Sequence, residues 1–454
     1  MSAPGGEELV AFAERGVRRA LARGAEQAEV YASYESAARV EFRGRLGEAQ
    51  ETAEGGVCVR LATSERRTGF ASVPGLTERS VELAIERALV NARYAPVDAK
   101  FSHYADPQPV AAPPTRLDAR VAAPDADRLL GDAKAAADGV AGQADITYLT
   151  FQLSATRATF GVANSRGVAT WDQDAREAFL SELRVSDAAL HKTSNEFGVE
   201  RRPLSERYDL GALLGDAAAR ARGALRTAPL ERPVDTVVVD FVPTMLLLSP
   251  FLDNLAVAAA KTDGLVEQVG KSIASPLISM RDDPARADGV RCQRVDDEGV
   301  PTRATRLVER GVLRELPTHA YLAHQKGAAS TGNGYRSFDN RWTGTPRPRI
   351  ASLDVAPGTK PLADILAGVE RGVYVRDYLL GWFTNNPVTG DFSTVAPLAF
   401  LVEKGSIVQA LPPTTVAGNV YKMLQDVEEV SRERRTLLRG SFPALRVSGL
   451  TCAT

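Results

Sequence analysis

The sequence predicts an α+β protein of two domains. Residues 1–232 read as an N-terminal mixed α/β domain, and residues 233–454 as a C-terminal domain built on a curved, barrel-like β-sheet with packed helices. Three observations carry this. Stretches with apolar residues at helical spacing interleave with stretches of period two through the first half. After Leu230-Glu231-Arg232-Pro233 the pattern changes to short apolar runs between Gly and Pro turns, which reads as a closed or strongly curved β-domain. A chain of 454 residues is also long enough for two or more cores.

The elements follow in order. Residues 7–23 form an amphipathic helix stopped at Gly24. Residues 29–63 alternate apolar and polar side chains in short runs broken by Gly44, Gly47 and Gly55-Gly56, a strand meander. Val81, Leu83, Ala84, Ile85, Ala88 and Leu89 place a helix over 77–94. Pro107, Pro109, Pro113 and Pro114 mark a stiff, extended connection over about 105–116. A second pass repeats this scheme. It has a helix over 126–138, strands over 146–161 and 168–185 turning at Asn164-Ser165-Arg166-Gly167, and a helix over 208–225. That order suggests a weak internal duplication without a residue-level repeat. In the second half, the strand Thr236-Val237-Val238-Val239-Asp240 leads into a helix over 244–261, and a further helix is expected over 418–433.

Composition narrows the function classes. Forty-four per cent hydrophobic and 25% charged residues are ordinary for a globular protein, and a net charge of −2 gives no global attraction to nucleic acid or anionic membrane. The cluster Arg432, Arg434, Arg435 and Arg439 reads as a solvated or interface helix face. Cys58, Cys292 and Cys452 are odd in number and far apart, which fits a reducing compartment. Residues 1–8 lack a basic stretch followed by an apolar run, so a cytoplasmic protein is expected. The apolar stretch 237–260 is interrupted by Asp240, Pro243, Pro250 and Asp253 and is expected in the core.

Several motifs invite catalytic readings. Gly264 to Ser272 ends in Gly270-Lys271-Ser272, but five residues separate its glycines where a phosphate loop needs four. Gly332-Asn333-Gly334 lacks the third glycine of a dinucleotide fingerprint; both segments read as turns. No Gly-x-Ser-x-Gly elbow exists. Of the four histidines, His103, His191, His319 and His324, none is followed by glutamate; His319 and His324 are five apart, but Ala320 stands where a water-activating glutamate would be needed. Asp282-Asp283-Pro284 and Asp296-Asp297-Glu298-Gly299 lack calcium-loop spacing and read as tight turns. The polar run Asn385, Asn386, Thr389, Asp391 and Ser393, with Pro387 and Gly390, fits a cleft wall and a plain turn equally. Gly332, Asn333 and Gly334 are candidates to support that cleft.

Taken together, Gly24-Ala25-Glu26-Gln27-Ala28-Glu29-Val30-Tyr31, Asn164-Ser165-Arg166-Gly167, Asp296-Asp297-Glu298-Gly299-Val300-Pro301-Thr302, Ser330-Thr331-Gly332-Asn333-Gly334-Tyr335-Arg336, Thr389-Gly390-Asp391-Phe392-Ser393 and Val416-Ala417-Gly418-Asn419-Val420 resemble, in order, segments of the TldD/TldE (PmbA) metallopeptidase family. In that family the TldD-type members carry His-Glu-x-x-x-His on a helix after an apolar strand. At the matching positions this chain has Ser249, Pro250 and Asn254, and no cysteine lies in 431–442, where the third ligand is expected. Cys452 lies beyond, in a tail expected to fray. The resemblance therefore implies a TldE-type subunit with no metal or cofactor of its own. It would form a heterodimer with a TldD-type subunit carrying zinc or iron, and complete a cavity for an extended, unfolded or precursor peptide. Two alternatives remain: a non-enzymatic peptide-binding or scaffold protein, and an independent hydrolase with an unrecognised site.

Overall fold

A computed structural model describes residues 3–44, 46–110, 115, 117, 123–201, 209–234, 236–262, 264–286, 289–337 and 341–454, the side chains of 195–201 and 384 excepted. Pro113 and Pro114 lie outside the described residues.

The first half folds as two copies of one αβββα order. The first is α1 (Gly6–Ala22), β1 (Gln27–Arg43), β2 (Leu46–Ala62), β3 (Thr68–Pro74) and α2 (Glu78–Tyr94). The second is α3 (Ala126–Ala141), β4 (Ile146–Asn164), β5 (Ala169–Asp187), β6 (Leu190–Arg201) and α4 (Leu210–Gly223). One six-stranded antiparallel sheet holds both, in the order β3-β2-β1-β4-β5-β6, so each copy runs outward from the central β1–β4 pair. The duplication thus exists in structure where the residues show no repeat. The expected meander is two uninterrupted 17-residue strands; Gly55-Gly56 lies inside β2 and breaks nothing. Thr77, Asp125 and Asp209 cap α2, α3 and α4, each side chain accepting from a backbone N–H of the first turn.

Strand parity assigns the faces. Val30, Ala32, Ala38 and Val40 share one side of β1 and pack under the helices. Tyr31, on the other side, joins Cys58, Phe160 and Val162 against Val295, Val300 and Ala320 of the second half. The sheet therefore has helices on one face and the C-terminal half on the other.

The second half opens with β7 (Thr236–Val239) and α5 (Phe241–Ala258), then β8 (Met280–Asp282), β9 (Thr305–Glu309), β10 (Val312–Leu313), α6 (Ala320–Gln325), β11 (Gly334–Tyr335), β12 (Arg347–Pro348) and β13 (Leu353–Val355). It closes with α7 (Leu362–Ala367), β14 (Arg371–Arg376), β15 (Asp391–Ala396), β16 (Leu398–Glu403), β17 (Ser406–Ala410), β18 (Thr414–Asn419), α8 (Val420–Gln425), β19 (Val427–Leu437), β20 (Gly440–Ser448) and β21 (Thr451–Ala453). The main sheet runs β10-β9-β8-β13-β20-β7-β14-β16-β17, with β19 on β20; β15-β18-β21 form a smaller sheet. The α+β class holds, but the barrel-like expectation is corrected, because β10 and β17 end the large sheet as open edges. The reason is α5. It is long and apolar enough to cross a membrane, and 83% of it is buried within the protein. Its Leu248, Phe251 and Leu255 pack in one core with Val237 and Val375 of the large sheet and Phe392 and Val416 of the small one. A sheet closed on itself would fill its interior with its own side chains and leave this helix uncovered.

Two further expectations fail. The helix over 418–433 ends at Gln425, and Val427–Leu437 is strand β19, so the arginine cluster sits on and just after a strand. Val420, Met423, Leu424, Val427 and Val430 do have helical spacing, but pairing to β20 overrides it. Cys452 is not in a frayed tail: it pairs with Val416 on β21 and is 4% exposed.

Glycine substitutions should act with opposite signs in the two halves. A Cβ on Gly358 would collide with the Val430 carbonyl, so Gly358→Ala is expected to cost about 1–3 kcal/mol. Gly131, inside α3, has open space around it, and Gly131→Ala is expected to stabilise by about 0.5–1 kcal/mol. Denaturant midpoints read both.

Candidate functional site

The degenerate helix α5 follows β7, whose Val237, Val238 and Val239 are at most 1% exposed. Asp240 turns strand into helix: its carboxylate accepts from Phe241 N at 2.8 Å, and from Tyr374 Oη at 2.8 Å and Arg376 Nε at 3.2 Å on β14. The three motif positions are bonded into the fold or lack donors. Ser249 Oγ donates back to the Met245 carbonyl at 2.8 Å. Pro250, in mid-helix, offers neither N–H nor a polar side chain. Asn254 accepts from Lys261 Nζ at 2.8 Å and donates to Tyr421 Oη at 2.6 Å, and Tyr421 in turn donates to the Pro387 carbonyl at 3.1 Å. No imidazole, thiolate or carboxylate stands at any of the three positions, and an ammonium group lies beside the last. Zinc chemistry has nothing to ligate there.

Ser249 instead borders a cavity of 950 Å3 between the two halves. One wall is Leu180 and Glu182 of β5 with His191, Lys192 and Thr193 of β6; the other is Met245 and Leu246 of α5, Tyr378, Leu380 and Trp382, with Leu438 and Arg439. Leu180, Leu380 and Leu438 are 41%, 52% and 54% exposed, so the cavity presents apolar side chains to solvent. The loop before Trp382 is held in shape. Asp377 (φ 68) and Gly381 (φ 77) are left-handed, Ser194 Oγ donates to Asp377 Oδ2 at 2.6 Å, and Trp382 Nε1 donates to Tyr378 Oη at 2.6 Å. Lys192 reaches the Leu411 carbonyl at 3.3 Å, and burial lowers its pKa. The Ser249 hydroxyl is spent on the helix, and no base among the described residues is hydrogen-bonded to it.

The polar run lies next to this cavity but does not line it. Most of its side chains close their own turn. Asn386 Oδ1 accepts from Val388 N at 2.9 Å and Thr389 N at 3.2 Å, Thr389 Oγ1 from Asp391 N at 3.4 Å, and Asp391 Oδ1 from Asn419 Nδ2 at 2.8 Å, which holds the Asp391 carboxyl below its usual range. Ser393 is exposed on β15. Asn385 differs: both polar atoms of its side chain are buried and make no hydrogen bond among the described residues. Gly332, Asn333 and Gly334 lie in the interior, not on a cleft wall. Asn333 is 1% exposed and bonded to Asp282 and the Arg349 carbonyl, Gly334 N donates to Asp296 Oδ2, and a Cβ on Gly332 would strike the Pro301 carbonyl.

The acidic turn Asp296-Asp297-Glu298 lies in the joint between the halves, whereas Asp282 ends β8 inside the second half. Glu298 and Glu29 share Arg60 at 2.9 and 2.6 Å, Arg336 bonds Glu29 at 2.6 Å, and Tyr31 Oη donates to Asp297 at 3.2 Å. Asp282 accepts from Ala351 N and Ser352 N, while burial pushes its carboxyl up to about 6. Sequence reasoning overlooked the cavity's apolar wall. The run Tyr378-Leu379-Leu380-Gly381-Trp382-Phe383, apolar beside a polar turn, was the available signal.

Residues 240–454 match the family described as the PmbA/TldA metallopeptidase C-terminal domain. Among curated relatives, a Synechocystis metalloprotease is 26% identical over 63% of this chain and 61% of its own length. A TldD-homologue metalloprotease of Buchnera aphidicola (Schizaphis graminum) is 28% identical over 38% of this chain and 35% of its own. The chain thus spans between about a third and three fifths of the length of these relatives. TldE from Thermococcus kodakarensis shares the fold, with a TM-score of 0.87 over 98% of this chain and 100% of that one, at 22% identity.

Proposed function

The chain belongs to the TldD/TldE (PmbA) family, and on that premise we propose that it is a TldE-type subunit of a two-chain metallopeptidase. It would work in the cytoplasm, in keeping with its three cysteine thiols. It supplies no catalytic metal; zinc or iron sits in a TldD-type partner, and this chain completes the cavity that admits an extended peptide, including precursors of peptide natural products. The observation that carries the reading is the state of α5: the three positions where a TldD-type helix ligates are taken by a serine bonded to its own helix, a proline, and an asparagine tied to Tyr421. The 950 Å3 cavity beside them supports a substrate-binding role for this wall. The deciding experiment is reconstitution with a TldD-type chain.

Substitutions on this chain separate the reading from an independent serine hydrolase. Ser249→Ala removes one hydrogen bond internal to the helix and is expected to leave turnover by the pair within about twofold, because no attacking oxygen is lost. A loss of two orders of magnitude or more would instead mark Ser249 as the nucleophile. Trp382→Ala, which opens the cavity wall, is expected to raise KM for peptide by about tenfold while the two chains still co-purify. Unchanged KM would place the peptide elsewhere. Asn385→Ala is expected to weaken turnover only where peptide binding turns the buried amide toward the adjoining cavity; normal turnover would make Asn385 a structural residue of its turn.

A further inference from the structure

Away from α5, three metal-type donors meet where the loop after α2 touches α6. His103 Nε2 lies 3.0 Å from Asp106 Oδ2, and His324 Nε2 lies 3.9 Å from the same oxygen. The two imidazoles stack with centroids 4.0 Å apart at 23°. We propose that His103, Asp106 and His324 form a zinc-type divalent-metal site that ties the loop after α2 to α6.

Distances support it. Bonds of about 2.0–2.1 Å in a tetrahedral zinc site hold the donor atoms about 3.4 Å apart. The two observed separations bracket that value and all three donors lie within 4.8 Å of one another, while the stacked rings must rotate for both Nε2 lone pairs to converge on one ion. The surroundings prepare the donors. His324 Nδ1 lies 3.2 Å from the His103 carbonyl oxygen. A carbonyl only accepts, so Nδ1 carries the proton and Nε2 presents its lone pair. That Nε2 makes no hydrogen bond to the described residues. Arg166 bonds Asp106 Oδ1 through Nε at 3.0 Å and Nη2 at 2.8 Å, which fixes the carboxylate and leaves Oδ2 for the ion. On binding, the proton that His103 Nε2 shares with Asp106 passes to its own Nδ1.

Two imidazoles and one carboxylate favour zinc over calcium or magnesium, which take oxygen donors. The three side chains are 28%, 43% and 18% exposed, so water completes the coordination from the open side. The site is independent of the peptidase reading. It lies on residues 221 apart in sequence, out of reach of any spacing motif.

The test uses the full chain, stripped with EDTA and titrated with zinc chloride at pH 7.5 by calorimetry. One equivalent is expected to bind, with His103→Ala and His324→Ala each raising Kd at least tenfold and Asp106→Asn raising it while preserving the fold. Cobalt(II) should give visible d–d bands in the wild type that both histidine variants lose. Binding should weaken in acid, where protons compete with the ion for the nitrogen donors. Circular dichroism separates loss of a ligand from loss of fold; if the histidine variants unfold, Asp106→Asn and the cobalt spectrum of the wild type decide. Less than one equivalent of zinc in the wild type, or variants that bind as the wild type does, overturns the proposal.

Discussion

Mixing this chain with a TldD-type chain that carries His-Glu-x-x-x-His is expected to yield peptidase activity that neither chain shows alone. The expected gain is at least two orders of magnitude over the sum of the separate rates. The physical ground is division of labour. A metallopeptidase needs an ion to polarise the carbonyl and a glutamate to take a proton from water. This chain has neither on α5, where Ser249 bonds Met245 and Asn254 is held between Lys261 and Tyr421. What it has beside α5 is a 950 Å3 cavity bordered by exposed apolar side chains, which on the proposed function would receive the peptide. Substituting either histidine of the partner's motif should abolish the activity of the mixture. Peptide cleavage by this chain alone, persisting in chelator, would show an independent hydrolase. Peptide binding by this chain with no activity in any mixture would show the scaffold alternative.

The second large effect is on stability. Arg336→Ala is expected to destabilise the protein by about 3–5 kcal/mol, because it leaves a buried carboxylate short of a partner. Arg336 and Glu29 are at most 1% exposed and 2.6 Å apart, and the guanidinium also stacks over the Tyr31 ring at 4.6 Å. Glu29 lies on β1 and Arg336 just after β11, so the pair joins the two halves of the molecule. Replacing both partners, as Glu29→Gln with Arg336→Met, should recover part of the loss, since no unpaired charge then remains. Guanidinium denaturation of the wild type, Glu29→Gln, Arg336→Met and the double variant gives the coupling energy, with Arg336→Ala measured beside them. A wild-type midpoint for Arg336→Ala would mean that the Arg336–Glu29 pair adds nothing net to the joint.

Helix positions were legible in the first half because their signals are local. Thr77, Asp125 and Asp209 each precede an apolar pattern of helical period, and each caps a helix. The helix over 418–433 misled because its apolar spacing fits two structures, and only the pairing of β19 with β20 chooses between them. The lost helix motif at Ser249, Pro250 and Asn254 was legible residue by residue, since ligand identity is a property of side chains and not of their arrangement.

What the sequence by itself determined is the α+β class, the strand β7 leading into an apolar helix, and the want of metal-ligating side chains at positions 249, 250 and 254 of that helix. Tertiary structure decided the rest. It decided that the large sheet stays open, because α5 must be covered by strands from both sheets. It decided that Asp296, Asp297 and Glu298 are buried in the joint, where backbone N–H groups of Glu298, Val300 and Gly334 bond Asp296, Tyr31 Oη and Arg336 N bond Asp297, and Arg60 bonds Glu298. And it brought His324 onto His103 and Leu180 opposite Leu438, pairs remote in the chain. Periodicity and caps act over a few residues, within one turn or one strand. A cavity or a ligand set depends on which faces of distant elements meet, and that is set by burying the whole core at once.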